Sequence, residues 1–338
     1  MTERVVHLVH LAWPLRRVAF VLCAALIASA ACDRGIQQES EPVRVRVPPG
    51  ASFAEVTDSL AAKKIIQAPF LFRLYARVLG VDDEVKPGTY AFRPGTGWKT
   101  LLEDLRLGRI LTYRIVIPEG WDLQRIAPRL ASLTGMPAES VLAALADTAL
   151  AARFGVPGPT LEGYLYPATY TFPVDAPLDS VLASIVSVYK AMWTPERRAR
   201  ADSLGLSERE VVTLASIIEK EAKIPSEMPL ISAVYHNRLR IGYPLQADPT
   251  VQYALGAHQA RLLRAHIDSV ADHPYNTYRR RGLPPGPIAS PSANALNAAL
   301  YPADVDYLYF VARPDGRHIF TRTLAEHNRA KAAVRRGR

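Results

Sequence analysis

The chain has 338 residues, of which 49% are hydrophobic and 22% charged, a composition typical of folded domains and not of a disordered or fibrous chain. Its net charge is +9, but no zinc-finger, RNP or helix-turn-helix pattern accompanies the basic excess, so nucleic acid is not an indicated partner. Both cysteines, Cys23 and Cys32, lie near the N-terminus, which excludes disulfides and thiolate metal sites from the remainder of the chain. The length leaves room for about two domains.

The N-terminal segment, residues 1–32, has the pattern of a membrane-targeting sequence. Arg16 and Arg17 precede a 14-residue uncharged run, 18–31, which is shorter than the roughly 20 residues of a usual spanning helix. The run ends in SAAC, which resembles a bacterial lipobox and would make Cys32 a lipidated residue after cleavage. An uncleaved signal anchor remains the alternative. Both predict that the chain is held at the cytoplasmic membrane with its later residues on the outer side.

A polar linker is predicted at 33–42, and a small α+β module at 43–110. The alternation of VRVRV (43–47) predicts a strand. Ser52 followed three residues later by Glu55 has the pattern of a capping box and predicts a helix start. The other predicted elements of this module are a helix at 69–78, a strand at 88–92 and a helix at 98–107.

A second and larger α+β domain is predicted at 111–336. Asp248 followed by Pro249 is the pattern of an N-cap residue and a proline at the first helical position. Thr323 and Glu326 predict a capping box for the last helix. The remaining predicted elements are a strand at 112–117, helices at 122–133, 178–193, 228–240 and 290–300, and a hairpin within 306–320.

The segment LASIIEKEA (214–222) carries two acids in a pattern that otherwise predicts a buried helix, which Ser207 and Glu210 would cap. An acid among apolar neighbours has a raised pKa and can donate a proton near neutral pH. Helical geometry places small residues beside Glu219 and large aliphatic residues beside Glu221. That difference favours Glu219 as the residue that a substrate can approach, although both helix faces are partly apolar. A structural ion pair is the alternative for either acid.

Four segments in order resemble the endolytic murein transglycosylases, also called the YceG-like family. They are LASIIEKEA, YHNRLRIGYPLQADPTVQYALG (235–256), HPYNTYRRRGLPPGPIASPS (273–292) and LYFVARPDGRHIFTRTLAEHN (308–328). LEGYLYPATY (161–170) also resembles the family's pattern, and the resemblance is collinear over 43–336. It implies an α+β fold with a small LysM-like α/β module at 43–110 and a catalytic domain at 111–336.

The resemblance implies a lyase that cleaves the β-1,4 bond between N-acetylmuramic acid and N-acetylglucosamine inside nascent peptidoglycan strands. The product would end in 1,6-anhydromuramic acid, and strand elongation would stop there. Glu219, the first Glu of EKE, is the implied catalytic residue. It would act as acid and then as base toward the C6 hydroxyl of the sugar, so that no second carboxylate is needed. Penicillin-binding proteins and other peptidoglycan synthases are implied partners.

Other polar residues in the matching segments are candidates for substrate binding. No cofactor or metal is expected, because the histidines lack the spacing of metal ligands. For Asp248 the alternative is a helix cap, for Glu162 an ion pair, and for the loop at 275–278 a turn. A non-catalytic peptidoglycan-binding scaffold and a hydrolase that uses water are the alternative functions. The candidate substrate-binding residues are Glu162, Asn237, Gln246, Asp248, Tyr275, Asn276, Thr277 and Tyr278.

Overall fold

A computed structural model describes residues 41–337. The predicted targeting segment 1–32, the candidate lipidation site Cys32 and most of the linker 33–42 therefore lie outside the described residues. No helix between residues 41 and 337 is both long and apolar enough to cross a membrane. The chain divides into two compact units between Thr112 and Tyr113.

The first unit has the order βααβα. Strands β1 and β2 pair antiparallel, with a register that runs from Val43 opposite Phe92 to Val47 opposite Gly88. The capping box predicted at Ser52 and Glu55 is present at the start of the first helix. The elements are β1 (Val43–Val47), α1 (Phe53–Ala62), α2 (Pro69–Leu79), β2 (Gly88–Phe92) and α3 (Trp98–Leu107). The core of the unit is formed by buried residues from all five elements, among them Val45, Leu60, Phe72, Tyr90 and Leu101.

The second unit is mostly helical, with two small two-stranded sheets, β3–β4 and β5–β6. The β5–β6 hairpin is antiparallel. The strands of the two sheets are β3 (Thr112–Ile117), β4 (Ala168–Pro173), β5 (Tyr309–Ala312) and β6 (His318–Thr321). Its helices are α4 (Leu123–Thr134), α5 (Ala138–Leu145), α6 (Thr148–Arg153), α7 (Leu178–Ala191), α8 (Pro195–Ser203), α9 (Glu208–Glu221), α10 (Met228–Arg240), α11 (Asp248–Leu255), α12 (Arg264–Ser269), α13 (Ala293–Leu300) and α14 (Leu324–Arg336). The predicted α+β class is confirmed.

Helix α9 lies at the centre of the second unit. Every residue from 211 to 218 is buried, as expected of a helix that is apolar on all sides. The predicted capping box of Ser207 and Glu210 closes its N-terminus. The helix packs against α8, α10 and α13. Because burial ends after Ile218, the last turn carries Glu219 from the core to the edge of the unit.

Two predicted helix starts are wrong. Helix α11 is preceded by Ala247 as N-cap, and Asp248 is its first residue and makes no capping bond. The Asp248 carboxylate instead accepts a hydrogen bond from the Tyr278 hydroxyl, which lies far away in sequence. Helix α13 begins after Ser292 and not at Ser290, because the preceding residues are extended and bonded to other segments.

Gly163, in the LEGYLY loop, permits a close approach between two loops of the second unit. Its φ is +81°, and a Cβ placed there would lie 2.4 Å from the Cβ of Pro287. No side chain fits at that distance. Gly282 has the same φ of +81° but has nothing within 4 Å of such a Cβ. At Gly282 only the positive φ therefore favours glycine, whereas at Gly163 the contact with Pro287 requires it as well.

We expect Gly163→Ala to lower the free energy of unfolding by roughly 3 kcal/mol, because left-handed strain and overpacking add together. Gly282→Ala should lower it by about 1 kcal/mol, from the strain alone. Urea unfolding of both variants beside the parent chain measures the difference. Equal losses would show that the loop carrying Gly163 moves away from Pro287 without penalty.

Candidate active site

One hydrogen bond to a side chain of α9 and two backbone hydrogen bonds link this helix, the segment before α13 and the turn after β3. The Ile288 amide donates to the buried hydroxyl of Ser216 at 3.0 Å. The Ser290 amide donates to the Trp121 carbonyl at 2.8 Å, and the Gly120 amide returns a bond to the Ser290 carbonyl, also at 2.8 Å. The turn after β3 and the extended segment before α13 are therefore fixed to each other and to α9.

Glu219 is held by the residue that caps α13. Its Oε2 accepts hydrogen bonds from the Ser292 amide at 3.0 Å and from the Ser292 hydroxyl at 2.5 Å. The same hydroxyl accepts from the Ala295 amide at 3.1 Å, as an N-cap does. The other carboxylate oxygen of Glu219 has no hydrogen-bond partner among residues 41–337. One oxygen is thus fixed at the positive end of a helix while the other is available to a ligand.

Gly120 covers the base of the Glu219 side chain. A Cβ at Gly120 would lie 3.6 Å from the Cγ of Glu219 and 3.6 Å from the Cδ of Lys220. The Lys220 Nζ donates to the Gly120 carbonyl at 3.1 Å. The turn at Gly120 therefore lies directly against the two residues that follow the buried part of α9.

Glu119 brings a second carboxyl group close to Glu219. Desolvation, and then the charge of Glu219, raise the pKa of Glu119 above its usual range. Glu119 belongs to the turn after β3, far from α9 in sequence. The sequence contained no signal for this neighbour, because only the packing of the turn on α9 brings the two acids together.

A groove of about 1090 Å³ opens beside this site. Glu219 is not among its lining residues, but Lys220 next to it in sequence and Ile288, bonded to Ser216 on the same helix face, both are. The groove therefore lies next to the Glu219 site, although Glu219 itself is not part of its wall. Its charged lining residues are Asp122, Arg125, Glu162, Lys220, Glu221, Lys223 and Asp248.

Glu162 is a buried acid on the wall of the groove, with a side chain only 4% exposed. Its Oε2 accepts from the Leu123 amide at 3.2 Å and from the Tyr253 hydroxyl at 3.4 Å. Its Oε1 is buried and has no partner in the described part of the chain. Desolvation raises the pKa of Glu162 to about 8, so the group is largely protonated at neutral pH. A protonated carboxyl can then donate a hydrogen bond.

Glu221, the second acid of the EKE sequence, lines the groove and is bonded to the neighbouring helix α10. The Tyr235 hydroxyl on α10 donates to its Oε1 at 3.0 Å. Burial first, and then the negative charge of Asp248, raise the pKa of Glu221 to about 7. The structure thus distinguishes the two acids. One oxygen of Glu221 is bonded to a buried tyrosine, whereas one oxygen of Glu219 is bonded to the backbone amide and hydroxyl of a helix cap.

Several predicted substrate-binding residues lie at the groove or near it. Glu162 and Asp248 line it, and Tyr278 is hydrogen-bonded to Asp248. Tyr275 packs against the lining residue Tyr253 with ring centroids 4.8 Å apart. Gln246 is exposed, with a positive φ of +49°.

The other three candidates are not brought to the groove. Asn276 is fully buried and its amide donates to the carbonyls of Ile267 and Val270, which holds its own loop together. Thr277 is 2% exposed and accepts from the Ala247 amide at 3.0 Å. The side-chain amide of Asn237 is bonded to carbonyls of the segment before β5, beside a separate cavity. Among residues 41–337 no group of three or more metal-ligating side chains is placed to hold a metal ion.

The profile of the YceG-like family matches residues 45–333 of the chain. A Bacillus subtilis protein named endolytic murein transglycosylase is 32% identical over 305 residues, covering 86% of this chain and 84% of that protein. A Streptococcus pneumoniae protein of the same name is 29% identical over 317 residues, and the match spans 57% of its length. The crystal structure of a YceG-like protein from Listeria monocytogenes superposes with a TM-score of 0.60 at 32% identity, covering 86% of this chain and 99% of that one.

The raised pKa of Glu162 predicts a pH-dependent stability. The folded chain retains this proton up to about pH 8, whereas in an unfolded chain the group ionises near its ordinary value of 4.5. Stability should therefore fall as the pH rises between these two values and level off above them. This fall in the free energy of unfolding should amount to roughly 3–5 kcal/mol, and we expect Glu162→Gln to remove it.

Chemical denaturation of the parent chain and the variant at pH 5 and pH 8 measures this effect. The exposed Glu139→Gln is the matched control and should leave the pH dependence as it is. If Glu162→Gln and the parent chain change in parallel between the two pH values, Glu162 is ionised in the folded protein.

Proposed function

The chain belongs to the YceG-like family, and we propose that it is an endolytic peptidoglycan lytic transglycosylase. The proposed reaction cleaves the β-1,4 bond between N-acetylmuramic acid and N-acetylglucosamine within a glycan strand and leaves a 1,6-anhydromuramic acid end. The names of the Bacillus and Streptococcus relatives support the activity. The observation that carries the proposal is Glu219, which has one oxygen fixed by Ser292 and the other without a partner in the described residues, and which precedes Lys220 on the wall of the groove.

In the proposed mechanism Glu219 first gives its proton to the glycosidic oxygen, and the bond from this oxygen to the anomeric carbon breaks. The sugar then carries oxocarbenium character. The Glu219 carboxylate next removes the proton of the C6 hydroxyl, whose oxygen forms a bond to the anomeric carbon. The proton returns to Glu219, no water is consumed, and the chain is therefore a lyase. Ser292 holds the carboxylate in one orientation through both steps.

The proximity of Glu119 to Glu219 supports a second candidate, a hydrolase. Two carboxyl groups that flank one bond are the usual equipment of glycoside hydrolases, where the second acid activates water. In that case Glu119 would be the base and the product would carry a hydrolysed end. We favour the transglycosylase because it agrees with the names of the relatives.

The groove is the proposed site for the glycan on either side of the scissile bond. Glu162 and Asp248 lie on its wall, where they are suited to bind hydroxyl and N-acetyl groups of the sugars. Tyr275 and Tyr278 would border the same groove as aromatic and hydroxyl-bearing side chains, and Gln246 is exposed near Thr277.

The first unit is proposed to be a LysM-like module that contacts peptidoglycan, and the βααβ order of its first four elements is compatible with that role. We propose that residues 1–32 attach the chain to the cytoplasmic membrane, by a signal anchor or by lipid on Cys32, with residues 43–336 on the outer side. There the enzyme would end the elongation of nascent strands close to peptidoglycan synthases such as penicillin-binding proteins. A scaffold that binds peptidoglycan without cleaving it is the non-catalytic alternative.

We expect Glu219→Gln to lower the release of anhydro-ended fragments from isolated sacculi by roughly 10²–10⁴-fold, because the glutamine can neither donate nor accept the proton. Glu221→Gln is the matched control two residues along the same helix. It retains an acceptor for the Tyr235 hydroxyl and should stay within about 10-fold of the parent activity. Soluble fragments are counted by chromatography and mass spectrometry. Full activity in Glu219→Gln, or loss in Glu221→Gln alone, would contradict the assignment.

The two candidate reactions differ in the mass of the product and in the effect of Glu119→Gln. A lyase should release only anhydro ends, and the substitution should leave most of the activity, since the C6 hydroxyl replaces water as nucleophile. A hydrolase should release ends that are heavier by one water and should lose most of its activity in Glu119→Gln. Hydrolysed ends from the parent chain would overturn the transglycosylase assignment.

A further inference from the structure

Helix α2 of the first unit exposes a large apolar face. Phe70 and Val78 are 74% and 77% exposed, and Leu71 and Leu74 are 51% and 50% exposed. At 100° per residue these four positions fall within an arc of about 100° on one side of the helix. Contiguous apolar surface of this kind marks an interaction site in soluble proteins.

The rest of the helix shows which side of α2 belongs to the fold. Phe72 and Ala76, on the opposite side, are fully buried in the core of the unit. Arg73 and Arg77 border the apolar face along one edge. Each is paired with a surface carboxylate, Arg73 with Asp58 at 3.1 Å and Arg77 with Asp82 at 3.5 Å. Pairs this exposed stabilise little and separate readily.

We propose that this face of α2 docks on the anionic lipid surface of the membrane to which the chain is attached. An apolar stripe with arginines along its edge is the pattern of a helix that lies in the membrane interface. The apolar residues would enter the boundary between headgroups and acyl chains, while Arg73 and Arg77 would contact lipid phosphates. The inference rests on the membrane attachment proposed above, and not on the cleavage reaction.

The length of the connecting chain agrees with this occupant. Only 11 residues, 32–42, separate the apolar run ending at Ala31 from strand β1. Fully extended, they span roughly 40 Å, so the first unit remains near the surface in which the run is inserted. Glycan is a poor occupant, because the four exposed side chains offer it no hydrogen-bonding group. A second protein chain usually requires about 20–30 residues on each side, far more than one helix face offers.

Photo-crosslinking of the full chain tests the proposal. Phe70 is replaced by p-benzoylphenylalanine, the chain is reconstituted into vesicles of phosphatidylglycerol and phosphatidylethanolamine, and adducts are identified by mass spectrometry after irradiation. Lys99, exposed on α3 of the same unit, receives the same probe as the matched control. We expect phospholipid adducts at position 70 in several-fold excess over position 99. The yield should fall in vesicles of phosphatidylcholine alone.

A second variant separates docking from mere proximity to the membrane. Leu74→Glu with Val78→Glu changes only exposed positions and should remove the excess of lipid adducts at position 70 while circular dichroism stays the same. Equal adducts at 70 and 99, or cross-links from position 70 to a second copy, to glycan or to another segment of the chain, would overturn the proposal. Flotation of the same samples reports the attachment itself. A chain that does not float overturns attachment and docking together, whereas the release of anhydro fragments is assayed separately.

Discussion

Burial of the central residues of α9 is the constraint on which the rest of the second unit depends. Eight consecutive residues, 211–218, are enclosed, so the polar groups on this stretch must find partners inside the protein. Ser216 does so by accepting the amide of Ile288, and this bond fixes the segment that leads into α13. The same segment then places Ser292 on Glu219. The position of the proposed catalytic acid therefore follows from the need to satisfy a buried helix.

The carboxyl groups of the site are distinguished by their surroundings. Desolvation dominates the raised pKa of Glu119, Glu162 and Glu221, and in each case the charge of another acid adds to it. A groove with so many acids would repel an additional negative charge if all of them were ionised. Protonation of Glu162 at neutral pH reduces that repulsion. Burial thus lowers the negative charge on the wall of the groove.

Ser292 combines a structural and a chemical role. Its hydroxyl caps α13 and binds Glu219 at the same time, so loosening of the helix start would also release the carboxylate. Gly163 lets a loop approach where a side chain would interfere, whereas at Gly120 the positive φ of +69° is what favours glycine. The first unit shows the opposite situation on α2, where apolar residues are left outside the core.

Local patterns in the sequence determined most of the helices and strands. The capping boxes at Ser52, Ser207 and Thr323 were predictable because their bonds join residues three apart. The special character of LASIIEKEA was equally evident, since two acids interrupt an apolar helix. The α+β class and the resemblance to a family followed from segments that can be found along the chain without knowledge of their contacts.

Only the tertiary structure decided what depends on contacts between distant segments. It placed the turn that carries Glu119 against Glu219, paired Glu221 with Tyr235, and buried Asn276 in the core. It also paired the carboxylate of Asp248 with the hydroxyl of Tyr278, so that Asp248 does not cap a helix. Residue type and spacing along one helix do not encode these pairings, because each is set by how loops far apart in sequence pack together. The sequence identified the helix that carries the acid, and packing gave its two carboxylates different partners, Ser292 for Glu219 and Tyr235 for Glu221.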